Sequence, residues 1–169
     1  NQISLLENVC ANGEYAAWLN QRATFWCKCF THAMKSNEYK KYTFSKEDDA
    51  CLFSAILNSS LFYYIWEIYS DCWHITKKEL DLIHLDFSLV DSKAKKRIVK
   101  LYKQLEEELE NSKKYIGSVQ TDYVYQHKLH KTTIDKIDIL IGRLFYLNDD
   151  EINEIINYQL AYRLNTERK

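Results

Sequence analysis

Between residues 92 and 116, Ile98, Leu101, Tyr102, Leu105 and Leu109 recur at spacings of three and four, the period of a helix with one buried face. Gly117 is a natural stop for it. Upstream, Ser45-Lys-Glu-Asp48 has the form of a capping box with an acidic first turn. It predicts a helix running through Ala50, Phe53, Ala55 and Ile56 towards Trp66 and Tyr69. Within it, Asn58-Ser59-Ser60 reads as structural, small polar residues that permit close approach or a bend. Thr132 or Thr133 can cap a helix carrying Ile134, Ile137, Ile141 and Leu144. Asn148-Asp-Asp-Glu151 caps the last one, with Ile152, Ile155, Ile156 and Leu160 facing inward. Strand content is confined to shorter pieces. Residues 23–32 are aromatic and β-branched, 39–44 suit a second strand, and Ile83, Leu85 and Phe87 alternate with His84 and Asp86. The pattern predicts a mostly helical α+β fold: a small antiparallel sheet in the N-terminal half packed by long helices, then a C-terminal helical hairpin over 134–162.

The chain has 169 residues, no proline, and glycine only at Gly13, Gly117 and Gly142, so no linker, repeat or low-complexity segment divides it. One domain over 1–169 is expected, large enough to bury a core without staples, with 1–90 holding the sheet and 91–169 helical. A start at Asn1 rather than Met suggests a fragment of a longer chain. Its first residues lack the basic and apolar regions of a signal peptide. The most apolar stretch, 50–69, is interrupted by Asn58, Ser59, Ser60 and Glu67 and makes a poor membrane span. Five cysteines, Cys10, Cys27, Cys29, Cys51 and Cys72, form no disulfide framework, so reduced, mostly buried thiols in a cytoplasmic protein are expected, with no membrane partner.

A net charge of −1 argues against a general nucleic-acid coat protein. The charge is nevertheless uneven. Lys93, Lys95, Lys96, Arg97, Lys100 and Lys103 form a basic run ahead of Glu106, Glu107, Glu108 and Glu110, and Lys28, Lys35, Lys40, Lys41 and Lys46 form a smaller cluster. Such patches can face phosphate while the whole stays neutral, and a solvated helix face explains the 93–103 run equally well.

Two stretches carry a family resemblance. The first is Ala55-Ile-Leu-Asn-Ser-Ser-Leu-Phe-Tyr-Tyr-Ile-Trp66, continuing through Ser70-Asp-Cys-Trp-His-Ile-Thr-Lys-Lys-Glu-Leu80. The second is Thr132-Thr-Ile-Asp-Lys-Ile-Asp138 followed by Phe145-Tyr-Leu-Asn-Asp-Asp-Glu-Ile152 and Ile155-Ile-Asn-Tyr-Gln-Leu-Ala-Tyr-Arg163. In this order they resemble the C-terminal target-recognition region of Type IIG restriction–modification enzymes and related adenine-specific (N6) DNA methyltransferases, over residues 45–87 and 130–163. The resemblance implies a non-catalytic specificity domain that binds double-stranded DNA and selects the site. It implies as partner a methyltransferase domain of the same polypeptide, which takes S-adenosylmethionine, and magnesium if it also cleaves. It makes 1–90 the recognition subregion. Two departures stand out: the family's lysine-proline pair is Lys131-Thr132 here, and its usual arginine after Asp-Cys is Trp73, so a different base preference is expected.

Catalysis is not expected on this chain itself, nor a cofactor or metal bound to it. The methyltransferase motif, an acidic or amide residue followed by two prolines and an aromatic, cannot exist without proline, and no glycine-rich turn is present for S-adenosylmethionine. Glu38-Tyr-Lys40 and Asp91-Ser-Lys93 match part of a magnesium nuclease motif, but such triplets arise readily when 28% of residues are charged. His127 and His130 read as surface histidines near a cap rather than metal ligands, and Cys72 beside His74 reads as a packed or loop thiol rather than a nucleophile.

The DNA-facing candidates are Ser70, Asp71, Trp73, His74, Lys77, Lys78, Arg97 and Lys100. Ser70, Asp71 and His74 offer donors and acceptors for base edges, Trp73 a flat face for a base or sugar, and the lysines and arginine charges for phosphate. The competing reading is a helical docking scaffold for the methyltransferase or nuclease domain without direct base readout. Exposure of Trp73 among Lys77, Lys78, Arg97 and Lys100 on one face favours DNA; burial of Trp73 with scattered lysines favours the scaffold.

Overall fold

The computed structural model describes residues 3–164. The fold is α+β and mostly helical, with a three-stranded antiparallel sheet in the N-terminal half. Strands β1 (Tyr15–Asn20), β2 (Cys29–Phe30) and β3 (Tyr39–Phe44) lie in the order β2-β1-β3. The β1–β3 register runs from Tyr15 opposite Phe44 to Asn20 opposite Tyr39. Gly13 makes the approach to this sheet possible, since a Cβ there would stand 2.4 Å from the Phe44 carbonyl oxygen.

Helix α1 (Glu47–Asn58) crosses the sheet and is buried from Ala50 to its end. Its other side is covered by α4 (Ser92–Ser112), whose buried stripe is Ile98, Val99, Tyr102, Leu105 and Leu109. The Tyr102 hydroxyl reaches past α1 to donate to the Cys29 carbonyl at 3.1 Å, so sheet, α1 and α4 share one core. Helices α2 (Ser60–Tyr69), α5 (Lys131–Leu144) and α6 (Asp149–Asn157) pack on one another, and α5 also lies on α4. Gly142 of α5 admits Ile152 of α6, whose Cγ1 would sit 2.6 Å from an added Cβ. Short helices α3 (Lys77–Leu80) and α7 (Leu160–Leu164) flank this body. Among the described residues no single helix is long and apolar enough to cross a membrane; α1 and α2 reach that length only as a pair bent by 57°.

The expected 45–69 helix is broken at Ser59, whose extended backbone (φ −74°, ψ 156°) ends α1 and starts α2. Ser59 Oγ donates to the Ile56 carbonyl at 2.5 Å and accepts from the Phe62 N–H at 3.3 Å. Breaking a buried helix leaves its first N–H groups without partners. Asp138 Oδ1 on α5 answers this by accepting from Ser60 N–H at 2.8 Å. Asn58-Ser59-Ser60 therefore makes the bend that the sequence suggested.

Several boundaries differ from expectation. Only Cys29 and Phe30 of 23–32 pair as strand; Trp26 and Cys27 are buried by packing instead. β1 was not anticipated. Ser45 caps nothing: Lys46 is the N-cap of α1, without a side-chain bond. The alternation at 83–87 yields a single bridge, Ser4 with His84, and a 3-10 turn at Phe87–Leu89. The 92–116 helix stops at Ser112. Lys114–Tyr115 (β4) then pairs with Tyr123–Val124 (β5), and Gly117 (φ +58°) lies in that hairpin. Thr133 does not cap α5; its hydroxyl donates to Glu108 at 2.8 Å. Asn148 does cap α6, in a capping box with Glu151, but the last predicted helix divides at Gln159 (φ +50°), so Leu160 belongs to α7. His127 is no surface histidine: it lies in a 3-10 turn (His127–His130), buried.

Candidate nucleic-acid interface

The segment after α2 is a loop whose backbone is tied at almost every residue. Ser70 Oγ accepts from Cys72 N–H at 2.9 Å. Asp71 Oδ1 accepts from the N–H groups of Trp73 and His74 at 2.9 and 2.7 Å, while Oδ2 lies 2.7 Å from His74 Nδ1. These bonds, with the backbone N–H of His74 first, hold the Asp71 carboxyl down at about 2. Cys72 takes a left-handed conformation (φ +58°) that lets the chain close this turn. Its Sγ points to the Glu67 carbonyl, 3.4 Å away, and not to His74. Beneath the loop, the buried Trp66 donates Nε1–H to the His74 carbonyl at 2.9 Å.

The loop is also laced to the turn that leaves β1. Ala23 N–H donates to the Trp73 carbonyl at 3.1 Å, Ile75 N–H to the Gln21 carbonyl at 2.8 Å, and Arg22 bridges His74. Gln21 N–H donates to the Glu38 carbonyl at 2.8 Å, which brings the chain ahead of β3 to the same place. Three distant segments thus converge on a frame with Trp73 at its edge, 49% exposed. Arg22 extends beside it, its guanidinium carbon 5.9 Å from the indole centroid and Nη1 3.3 Å from Glu38 Oε1.

Arg22 and Glu38 form the shared wall of two hollows. One, of about 230 Å³, includes Asn20, Thr24, Trp26, Lys28 and Trp73; the other, of about 550 Å³, includes Lys35, Asn37, His74 and Gln120. Burial pulls the Lys28 ammonium below its usual value. A half-exposed indole, a guanidinium, two ammonium groups and side-chain amides therefore line one surface. That set can stack on a flat ring, hydrogen-bond base edges and neutralise phosphate.

The eight residues singled out from sequence divide into four pairs. Trp73 and His74 stand exposed on the loop. Ser70 and Asp71 shape it, with Asp71 using both oxygens inside the turn. Lys77 and Lys78 are exposed on the first turn of α3, which follows directly and is fixed by a Thr76–Glu79 capping box. Arg97 and Lys100 are exposed on α4, between Lys95, bonded to Asp49, and Lys103, paired with Glu47. That is the Phe44 end of the β1–β3 ladder. The Trp73 loop belongs to the Asn20 end, about 17 Å away at ordinary strand rise. Arg97 and Lys100 are not brought together with Trp73. Arg22, Glu38 and Lys28 were not among the DNA-facing candidates; the lysine cluster around Lys28 and Lys35, and Glu38-Tyr-Lys40 read for other chemistry, were the sequence signals near them.

Other chemical candidates fall into structural places. Glu38 pairs with Arg22, and Asp91 caps α4 by accepting from Ala94 N–H at 3.0 Å. Burial pushes the Cys27 thiol far up and that of Cys29 to about 12. Among the described residues no group of three His, Cys, Asp or Glu side chains is arranged to hold a metal ion. No family model, curated protein or solved structure matches this chain.

Proposed function

We propose that the chain is a DNA target-recognition domain that binds duplex DNA and selects the site at which a methyltransferase domain of the same polypeptide acts. The observation that carries this reading is the Trp73 indole, half exposed on a loop whose backbone is fixed by Asp71, Ala23 and Gln21. A large apolar ring left in water on a rigid frame is matched to a flat partner, and cations on both sides suit that partner's charged backbone. Lys77 and Lys78 add phosphate contacts from α3, and His74 Nε2 is a polar atom left for a base edge.

The test is selection from a randomised duplex pool by the wild-type chain, Trp73→Arg, and Lys77→Ala/Lys78→Ala. A defined wild-type sequence, altered at one or two positions by Trp73→Arg, is expected. The lysine pair should weaken binding evenly across sequences and lower the slope of log affinity against log salt by roughly 2. An unchanged preference in folded Trp73→Arg sinks direct readout by this loop. Ile68 and Tyr69, exposed at the end of α2 beside the loop, favour the docking scaffold as second reading. In that case DNA is not selected at all.

A further inference from the structure

Arg22 lies in a segment to which the sequence assigned no chemistry, yet its guanidinium is the most constrained exposed cation on this face. Glu38 holds one corner at Nη1, Trp73 lies alongside, and Asn20 Oδ1 fixes the backbone by accepting from Arg22 N–H at 3.0 Å. Glu38 is set in turn by its backbone, which donates to Ser36 Oγ at 3.2 Å and accepts from Gln21. No described residue accepts from Nε or Nη2, so that edge of the fork is open; the Arg22 side chain is 49% exposed. Both residues border both hollows, so the pair stands as a ridge with space on either side.

An open guanidinium edge seeks two acceptors side by side, as a phosphate or the O6/N7 edge of guanine presents them. Glu38 decides between these. Its carboxylate, 3.3 Å from Nη1, offsets the charge of this guanidinium and disfavours a phosphate at its open edge, leaving phosphate to the lysines of the adjoining hollows. A neutral base is not repelled. Moreover, the second carboxylate oxygen of Glu38 can accept from the N4 amino group of cytosine, the base paired with guanine. We propose, on the target-recognition reading above, that Arg22 and Glu38 together read one G·C base pair: Arg22 takes the guanine edge, Glu38 the cytosine amino group, and Trp73 packs against the neighbouring step.

The experiment is pool selection followed by affinity against salt for wild type, Arg22→Lys, Arg22→Ala and Glu38→Gln, each checked for folding by thermal unfolding. The expected result is a wild-type requirement for G·C at one position. Both Arg22 variants relax it by about 5- to 150-fold with the salt slope unchanged, and Glu38→Gln relaxes the same position. Even weakening across all sequences, with the slope reduced by about one, makes Arg22 a phosphate contact and overturns the proposal. An intact G·C requirement in folded Arg22→Lys and Glu38→Gln overturns it too, leaving the pair as a clamp on the loop. A wild-type chain that selects no sequence removes the target-recognition reading itself, and this proposal with it.

Discussion

Asn58 completes the pairing of strand residue Cys29 with its own side chain. Nδ2 donates to the Cys29 carbonyl at 2.7 Å and Oδ1 accepts from the Cys29 N–H at 3.5 Å, as a neighbouring strand would. Nδ2 also donates to the Ser54 carbonyl at 2.7 Å, and Oδ1 lies 2.8 Å from His127 Nε2. Because Oδ1 can only accept, that imidazole nitrogen carries the proton. Asn58→Ala strips partners from buried groups on β2, α1 and the His127 turn together. Each orphaned group costs about 1–3 kcal/mol, so urea unfolding should show a loss of at least about 3 kcal/mol. A loss under about 1 kcal/mol denies the hub.

Two buried groups give stability opposite dependences on pH. Burial raises the Asp138 carboxyl from 3.8 to about 6, and its Oδ2 has no hydrogen-bond partner. Its folded form holds the proton more tightly, so its contribution is full below about pH 4 and is lost as pH rises through 6. The whole effect is on the order of 3 kcal/mol. Burial, and then the nearby Lys28 charge, holds His127 well below 6.5. Its neutral ring contributes fully above pH 6.5, and that contribution is lost as pH falls. The windows overlap and oppose. Asp138→Asn should therefore make stability climb more steeply from pH 4 to 6.5, and His127→Gln should make it fall over that interval. Urea unfolding at four pH values measures both slopes; parallel profiles in all three proteins refute the pairing.

How much of this was legible follows from what each feature depends on. Helix α4 and the Asn148 cap are local patterns, and both are present, although α4 ends at Ser112 short of the expected 116. Strand β3 was read because two tyrosines, a threonine and a phenylalanine fall in six residues, whereas β1 has only Tyr15 and Trp18, diluted by two alanines. The 23–32 stretch has strand composition but spends its aromatics on tertiary partners: Trp26 lies under the Arg163 guanidinium, and Phe30 packs against Tyr125 at a tilt. The break at Ser59 leaves the apolar pattern intact on both sides and shows only in small polar residues. The site divides in the same way. Its loop was visible as a motif, but Arg22 and Glu38 reach it through chain crossings that no spacing encodes.

Arg163 ties the C-terminal segment to the first. Its guanidinium carbon lies 4.0 Å from the Trp26 centroid and 4.1 Å from that of Tyr63, and Nε donates to the Phe25 carbonyl at 2.9 Å. Arg163→Ala leaves a cavity between two rings and an orphaned carbonyl, a loss on the order of 3 kcal/mol. Arg163→Met refills the volume and should recover part of it. Hydrogen exchange should show residues 160–164 opening first in the alanine variant. Unchanged exchange there disconnects Arg163 from the anchoring of α7.

Gly142 and Ile152 should be coupled. Alanine favours a helix interior over glycine by about 1 kcal/mol, but here its Cβ would meet Ile152 Cγ1 at 2.6 Å. Gly142→Ala should therefore destabilise by about 1–2 kcal/mol as α6 is pushed outward. In an Ile152→Ala background the clash is gone and the same change should be neutral or stabilising. A double-mutant cycle measures the difference, and additivity within about 0.5 kcal/mol would falsify close contact.

Asp71 separates loop geometry from protein stability. Its carboxylate is exposed and bonds only within the turn, so Asp71→Ala should leave the unfolding midpoint nearly unchanged. What it removes is the acceptor that fixes the N–H groups of Trp73 and His74, and with it the direction of the indole. Because the carboxyl sits at about 2 against an ordinary 3.8, its contribution to the turn is complete above about pH 4 and vanishes only as pH falls through 2. Sequence selection by the wild type should then be independent of Asp71 titration anywhere from pH 5 to 8. The alanine variant should retain non-specific DNA affinity, which phosphate contacts supply, while its preferred sequence blurs at the positions that Trp73→Arg alters. Selection on the same duplex pool measures this directly. A variant that unfolds earlier shows that the turn also carries stability, and one that keeps a sharp preference shows that its hydrogen bonds do not aim Trp73.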